Sequence, residues 1–418
     1  MALPAVGLRR IGDRVRIRVG LLFLVAGVLA TAGSALAFKP NDADWTLSWP
    51  QGRVKMHRVW NLTRGSRQVI VAVVDSGVNP KLRDLRGRLV PGRDFISGGY
   101  TKVDLDDHGT EMASIIAARG DNGTGIPGYC WGCRVMPVRV SVGTSVSDHL
   151  AAEGIRWAAD HGARIITISF SEVRGEPPDP GVAAAIAYAA RKGILVLTSA
   201  GNTYGSTGYT YPAADPGAYA VAGTNRFDKL SPWSTKGSWI HLAAPGCQLA
   251  LSAHGEGIEP CGTSVSAPAV AGIAGLMLSV NPSLTSDQIL SILEQTSKPV
   301  AGIDGGRVDA YAAIRAAAAK AALRAGGKPV LLRRLLQGSW KLGLAVQGTR
   351  VAATLRSRQA RSCSLRLEAP DAVWLSSRRR QSADSLVARV AAGKYKLEVA
   401  CKLHRPRPVS LTVRAFAH

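Results

Sequence analysis

At 418 residues the chain can bury a large core and still leave room for a second, smaller domain. Hydrophobic residues at 46% and charged residues at 19% exclude a disordered or fibrous chain. A formal net charge of +23 at pH 7 predicts attraction to anionic surroundings rather than to basic ones.

The chain opens on Arg9, Arg10, Arg14, Arg16 and Arg18, followed by an apolar core from Val19 to Ala32 and the small–x–small pattern Ala35-Leu36-Ala37. This is the order of an export signal, so residues 1–37 are expected to be a signal peptide cut before Phe38. The mature chain is then secreted or held in the cell envelope. An uncleaved anchor is the alternative, although it usually needs about 20 apolar residues. Six cysteines in an exported chain point to disulfides. Proximity pairs Cys130 with Cys133, Cys247 with Cys261 and Cys363 with Cys401, while 15 connectivities are formally open. Cys130-Trp131-Gly132-Cys133 is also the spacing of a redox or metal motif, but no second pair at zinc spacing accompanies it.

Residues 38 to 68 hold Trp45, Trp49 and Trp60 without a clear period and read as an arm packed on the main domain. Val69-Ile70-Val71-Ala72-Val73-Val74 is a continuous β-branched run, the mark of a strand buried on both faces. Further buried strands are expected at Arg134–Val140, Arg164–Ser169, Ile194–Ser199 and Tyr219–Gly223. Helices are expected at His108–Arg119, Ser147–His161 and Gly181–Lys192. The alternation predicts an α/β fold with a mostly parallel, doubly wound sheet and helices on both faces. Sites in such folds gather at the carboxyl ends of strands, where Asp75 and Ser199-Ala200-Gly201-Asn202 stand.

From Val265 to Leu278 the chain is apolar nearly all round and predicts a helix buried at the centre. Ser264 stands at its mouth, where free N–H groups and the macrodipole favour negative charge; the same residue type also simply caps helices. Helices Ser286–Gln295 and Asp309–Ala325 follow, and Gly326-Gly327-Lys328-Pro329 reads as a linker. Residues 330–418 change character, with short alternating runs such as Ser364-Leu365-Arg366-Leu367. They predict a small antiparallel β-domain, sandwich-like, after a main domain over 38–325. This tail carries 18 Lys and Arg against 4 Asp and Glu, a net +14. Its expected partners are anionic, a cell-envelope polymer, the membrane surface or extracellular nucleic acid, although no nucleic-acid motif is present; the alternative is a merely solvated charge run, and oligomeric state is not readable.

Three segments carry chemistry: Val74-Asp75-Ser76-Gly77-Val78, Asp107-His108-Gly109-Thr110 and Gly262-Thr263-Ser264-Val265-Ser266-Ala267-Pro268. A neutral serine hydroxyl needs a base within reach, an imidazole accepts and returns a proton near neutral pH, and a carboxylate orients the imidazole. The order Asp, His, Ser, with Ser-Ala-Gly-Asn between the second and third segments, resembles the subtilisin-like serine peptidases, from about Trp45 to Ala325. The resemblance implies a serine endopeptidase with Asp75, His108 and Ser264 as catalytic triad, and an oxyanion hole from Asn202 and the Ser264 N–H. It implies a protein or peptide substrate bound as an added strand between Ser169-Phe170-Ser171 and Val142-Gly143-Thr144. The pocket for the residue before the cut would lie between Phe170–Glu172 and Ser199, Ala200 and Gly201. No cofactor is required, and structural calcium is common in the family, although no ligand set can be matched here.

The chain also departs from the family pattern. Ser171 and Glu172 stand where two glycines are usual, which narrows the pocket or favours a basic substrate residue. Glu111 replaces the histidine usual after His-Gly-Thr. The motifs begin almost directly after the export-like segment, so a long propeptide is not expected. The competing reading is a catalytically idle envelope-binding protein, with the fold as scaffold and the basic tail as its working part. A Ser-based esterase would show a Gly-x-Ser-x-Gly elbow, which Ser264 lacks.

Overall fold

The computed structural model describes residues 38–324, apart from 46–47, 101–103, 105, 144 and 171–178. Beyond them it describes the backbone of the strands named below, between 330 and 416. The expected signal peptide and the expected linker at 326–329 lie outside the described residues.

The first part of the chain forms strands β1 (Ile70–Asp75), β2 (Arg93–Asp94), β3 (Arg134–Arg139), β4 (Ser141–Val142), β5 (Ser145–Val146), β6 (Ile165–Ile168) and β7 (Leu195–Ser199). Then come β8 (Ala218–Thr224), β9 (Leu242–Pro245), β10 (Ala250–Leu251), β11 (Gly257–Ile258), β12 (Lys298–Pro299) and β13 (Gly306–Arg307). Nine of these build one sheet in the order β12-β13-β9-β8-β7-β6-β1-β3-β2. All its pairings are parallel except β12 with β13. Strand β1 sits between β3 and β6, with Val71 opposite Val135 and Ile165.

The β-branched run of β1 serves both faces of this sheet. Val71 and Val73 enter one core with Leu197, Val221 and Leu242, while Ala72 and Val74 enter the other with Val138, Ile166 and Val196. Helices α4 (Asp148–Asp160) and α5 (Pro180–Arg191) cover the second core through Ile155, Ala158, Val182 and Ile186. Helices α3 (His108–Ala117), α6 (Thr263–Val280), α7 (Ser286–Thr296) and α8 (Ala310–Arg324) cover the first. Strand β9 is absent from the sequence-based expectations because Leu242-Ala243-Ala244-Pro245 is short and lacks β-branched residues; the sheet neighbours, not propensity, make it a strand.

Helix α6 is long and apolar enough to cross a membrane, yet its residues from Val265 to Leu278 are buried by the rest of the protein. Its glycines let the backbone of other segments come close. A Cβ on Gly275 would lie 2.9 Å from Cys133 Sγ, so the Cys130–Cys133 disulfide packs directly on the helix. The N-terminal arm, including the short helices α1 (Trp49–Arg53) and α2 (Met56–Val59), lies against the same loop. Trp60 donates to the Tyr129 carbonyl at 3.1 Å, and Trp60 and Trp131 have ring centroids 5.1 Å apart. Phe38 meets Trp131 edge-on, and Trp45 meets Trp60. The fully buried Arg307 ties arm and sheet edge: it forms a forked pair with Asp228 at 2.7 and 3.0 Å and donates to the Arg53 carbonyl. A second disulfide joins Cys247 and Cys261.

After α8 the chain forms β14 (Val330–Leu336), β15 (Gly338–Val346), β16 (Arg350–Arg356), β17 (Cys363–Glu368), β18 (Leu375–Ser376), β19 (Arg378–Arg380), β20 (Ala383–Arg389), β21 (Gly393–Cys401) and β22 (Arg407–Phe416). They pair antiparallel in two sheets, β14-β22-β16-β20-β19 and β15-β21-β17-β18. The register sets Cys363 opposite Cys401.

The helix α6 packing generates a paired prediction. Gly275→Ala forces a methyl against the disulfide and is expected to cost about 1–3 kcal/mol. Gly52→Ala in α1, where an added Cβ meets nothing within 4 Å, is expected to stabilise by about 0.5–1 kcal/mol. Thermal unfolding of the two variants checks both signs.

Candidate active site

The carboxyl end of β1 delivers Asp75, and the first residue of α3 is His108. Asp75 is buried, and its Oδ1 lies 2.8 Å from His108 Nδ1 while also accepting the Ser76 N–H at 2.8 Å. Nδ1 therefore carries the proton, which leaves Nε2 as the ring's acceptor. The approach is close because residue 109 has no side chain: a Cβ there would lie 2.0 Å from the Gly77 carbonyl oxygen. Asp107, just before the helix, adopts φ 63° and accepts the Ala253 N–H at 2.7 Å, which fixes the entry of the chain into α3.

Beneath this pair lies a carboxylate that the sequence did not single out. Asp104 is 4% exposed and accepts from Ser76 Oγ at 2.9 Å and from the Thr110 N–H and hydroxyl at 2.8 and 2.6 Å. Ser76 Oγ in turn accepts the Gly109 N–H at 2.9 Å. Ser76, next to Asp75, and Thr110, two residues after His108, are thus bonded to one buried acid. Its position in Asp104-Leu105-Asp106-Asp107 reads as a solvated acidic loop, and only the fold brings it under Ser76.

Ser264 enters from α6. The helix contains Pro268, which has no N–H to bond the carbonyl four residues back. That freed acceptor, Ser264 O, receives the Ser169 hydroxyl at 2.9 Å. Asn202 is oriented by Thr263: its Oδ1 accepts the Thr263 N–H at 2.9 Å and hydroxyl at 3.1 Å, and Thr263 Oγ1 accepts the Gly201 N–H at 3.0 Å. Because a backbone N–H can bond only to the oxygen, the Asn202 amide presents its Nδ2 end on the other side. The position a Cβ would take on Gly262 lies 3.0 Å from Ser264 Oγ, 3.3 Å from Asn202 Nδ2 and 3.7 Å from Ser264 N. A hydroxyl and two N–H donors therefore border one small volume, which suits an oxygen acquiring negative charge.

A family model described as the subtilase family matches residues 66–326. The chain belongs to the subtilase family. Thermitase of Thermoactinomyces vulgaris is 35% identical over 285 residues, covering 66% of this chain and 100% of thermitase. The cell wall-associated protease of Bacillus subtilis (strain 168) is 31% identical over 291 residues, 65% of this chain and 32% of that protein. Among solved structures, a protease of Pseudoalteromonas arctica superposes with a TM-score of 0.60 at 28% identity, over 66% of this chain and 99% of that one. This subtilase is a serine endopeptidase.

The other site residues expected from sequence fall as follows. Ser199 and Ala200 are buried at the end of β7, and Gly201 follows with φ 95°. Ser169 is buried and Phe170 half-buried against the α4–α5 core. Val142 is exposed in the short hairpin of β4 and β5, with Gly143 next to it. Thr144, Ser171 and Glu172 lie outside the described residues.

A second polar centre lies away from these residues. Asp42 and Asp84 are each 4% exposed. Asp84 Oδ1 accepts from Asn122 Nδ2 at 2.8 Å, and Asp42 Oδ2 accepts the Asp121 N–H at 2.6 Å. Asp42 Oδ1 is buried without a hydrogen-bond partner. Burial, together with the charges of Asp84 and Asp121, pushes the Asp42 carboxyl up to about 6, and burial raises that of Asp84. Among the described residues no cluster of three or more His, Cys, Asp or Glu gathers around a metal position. Two desolvated carboxylates with an orphaned oxygen, beside an asparagine amide, do fit a hard cation that takes oxygen ligands.

The Asp75 charge pushes the His108 imidazole up to about 9 against the opposing effect of burial, with smaller contributions from Glu111 and Asp104. Glu111 is itself raised by burial. Negative neighbours stabilise the imidazolium, so stability from this pairing is complete below the unfolded value near 6.5 and is lost as pH climbs through about 9. Titration of the His108 ring by NMR is expected to show a midpoint well above 6.5, and Glu111→Gln is expected to lower it. A midpoint that Glu111→Gln leaves in place would show that this carboxyl does not act on the imidazole.

Proposed function

We propose that this subtilase is exported and hydrolyses peptide bonds through an acyl-enzyme on Ser264. The Asp75–His108 hydrogen bond at 2.8 Å carries the reading, because once the ring, pushed up to about 9, has lost its second proton, Nε2 is left oriented and basic as the proton acceptor. Ser264 Oγ attacks the scissile carbonyl carbon while its proton passes to His108 Nε2. The carbonyl oxygen becomes an oxyanion, received by Asn202 Nδ2 and the Ser264 N–H. The C–N bond then breaks as the imidazolium returns the proton to the leaving amine. Water, deprotonated by the same nitrogen, attacks the acyl-enzyme, and collapse of the second tetrahedral intermediate releases the acid and Ser264. Asp75 stays ionised throughout and stabilises the imidazolium.

The substrate is proposed to lie extended between Val142-Gly143 and Ser169-Phe170, its cleaved residue beside Ser199, Ala200 and Gly201. Exposed Val142 at a hairpin and the chain running out of β6 supply backbone groups to which an added strand can bond. Export by residues 1–37 is supported by their basic, apolar and small-residue order. The Bacillus subtilis relative's association with the cell wall, stated in its name, supports a place outside the membrane. Residues 330–418 are proposed to be a separate β-domain that meets an anionic envelope polymer.

Asp42, Asp84 and Asn122 are proposed to hold a calcium ion with neighbouring carbonyls, in a structural role remote from the chemistry. Chelation is expected to lower the unfolding temperature of the wild-type chain, restored by calcium but not by magnesium, which demands a tighter octahedron. Asp84→Asn should abolish that response.

A fluorophosphonate probe is expected to label Ser264. Ser264→Ala should reduce turnover of a peptide substrate by about 10⁵–10⁶-fold. Asn202→Ala should reduce kcat by about 10²–10³-fold with little change in KM. Label on another serine, or cleavage that survives Ser264→Ala, would overturn the assignment.

A further inference from the structure

The strand register of residues 330–416 sorts the charge of the tail onto particular faces. In a strand, alternate residues share a face, and residues directly opposite on neighbouring strands share it too. Following the pairs of β14, β22, β16, β20 and β19 gives one face with Val330, Leu332 and Leu336, Val409, Leu411 and Val413, Val351, Ala353 and Leu355, and Leu386 and Ala388. The charged exceptions on that face are Arg334 and Arg379 on the two edge strands, Arg407 at the start of β22, and Asp384 opposite Arg379. The other face carries Arg333, Arg350, Arg356, Arg378, Arg380, Arg389 and Arg414, and no Asp, Glu, Trp or Tyr.

The second sheet is built differently. One of its faces is apolar, with Trp340, Leu342, Leu344, Leu365, Leu397 and Val399. Its other face mixes signs: Glu398 is in register with Lys341 and Arg366, and Glu368 with Lys396. The two sheets adjoin where β17 runs beside β20. With the two apolar faces read as a sandwich core, the remaining face of the four-stranded sheet carries Lys341, Arg366, Lys394 and Lys396 against Glu368 and Glu398, while that of the five-stranded sheet carries seven arginines and no acid among residues such as Leu331, Leu335, Ala352 and Val387. Seven of the tail's positive charges thus share one face with no acid beside them, half of its net +14.

We propose that the arginine face of the five-stranded sheet is a docking surface for a linear phosphodiester polymer of the cell envelope, lying across the strands. This deepens the partner proposed for the tail and does not depend on catalysis by Ser264. Arg333, Arg356 and Arg380 fall in one row on the first, third and fifth strands, so their backbones repeat at twice the strand spacing, about 9–10 Å. The neighbouring row holds Thr412, Thr354 and Ser385, hydroxyl donors that suit the remaining phosphate oxygens. The guanidinium fork matches a phosphate bidentately, which a lysine cannot do, and this face carries arginine without lysine. Phe416, at the end of β22, is the face's single aromatic ring, so there is no platform for stacked bases and no aromatic belt for a bilayer interface.

The test uses the full chain carrying Ser264→Ala, with long-chain inorganic polyphosphate as the probe and binding read by titration at several salt concentrations. Binding is expected, with a logarithmic salt slope of about 4–6, the signature of that many phosphate contacts. R333Q/R356Q/R380Q should weaken it by about 10–100-fold and lower the slope by about 2–3. K341Q/K394Q/K396Q, on the mixed face of the other sheet, should stay within about twofold. Because three changes in one sheet can unfold it, R333K/R356K/R380K is measured beside them; it keeps the charge, and an intermediate loss is expected from the missing fork. Equal losses for the mixed-face triple would overturn the assignment of the face. Tighter binding, per charge, to phosphatidylglycerol vesicles, polyglutamate or single-stranded oligothymidylate would overturn the assignment of the partner. Since the variant is catalytically disabled by design, neither result bears on the peptidase reading, which stands or falls with the probe-labelling experiment.

Discussion

Helix α6 has no polar face, and that one property constrains much of what surrounds it. A helix apolar all round must be enclosed, so the sheet lies on one side, α3 and α8 lie against it, and the disulfide loop of Cys130 and Cys133 reaches its glycines. Only its first turn, from Thr263, meets polar neighbours, and its free N–H groups concentrate there. Ser264 is thus held at the end of the helix where its hydroxyl stands beside free N–H groups and Asn202, the arrangement the proposed acyl transfer would use. Pro268 adds a further consequence: by withdrawing one N–H it leaves a carbonyl that Ser169 satisfies, which couples the helix start to the end of β6.

Electrostatics around His108 follow from the same architecture. Asp75 is buried where a parallel strand ends, and His108 begins a helix whose first turn lies against Gly77. The imidazole therefore has a carboxylate in direct contact and further negative charge from Glu111 and Asp104. Asp104 also has a positioning role, since one buried acid accepts from Ser76 and Thr110 and, through Ser76 Oγ, is linked to the Gly109 N–H. A buried carboxylate with several donors is costly to disturb, because removing it leaves those donors without partners.

The sequence made some of this readable and hid the rest for identifiable reasons. Strands β1 and β7 announce themselves because a strand buried on both faces needs an unbroken apolar run, and the runs stop at Asp75 and Ser199. The candidate site residues stand out in the sequence because they sit in short motifs at element ends. Asp104 was not, since a carboxylate in an acidic loop looks solvated until the fold places Ser76 and Thr110 around it. Strand β9 was missed because four residues rich in alanine take strand geometry from β8 and β13, not from their own preference. The pairing of Asp42 with Asp84 is not readable from ligand spacing, because the two come from separate segments and only the fold brings their carboxyls together. Tail charge is plain from composition, but the gathering of seven arginines on one acid-free face needs the register, since in Arg378-Arg379-Arg380 the middle residue belongs to the opposite face from its neighbours.

The two charged regions of the protein work in different dielectric regimes. Asp75 and His108 interact across one hydrogen bond with the carboxylate desolvated, where intervening salt has little access. The arginine face, in its proposed role, would act on a partner through an aqueous boundary, where ions compete for every phosphate. Attachment through the tail would therefore yield to salt while the geometry at Ser264 stays intact. Positive charge on a sheet face can be numerous at little cost to folding, whereas around His108 each added carboxylate changes the proton affinity of the imidazole proposed to take and return the proton. Few charges held closely suit a proton relay, and many charges spread over a face suit a polymer.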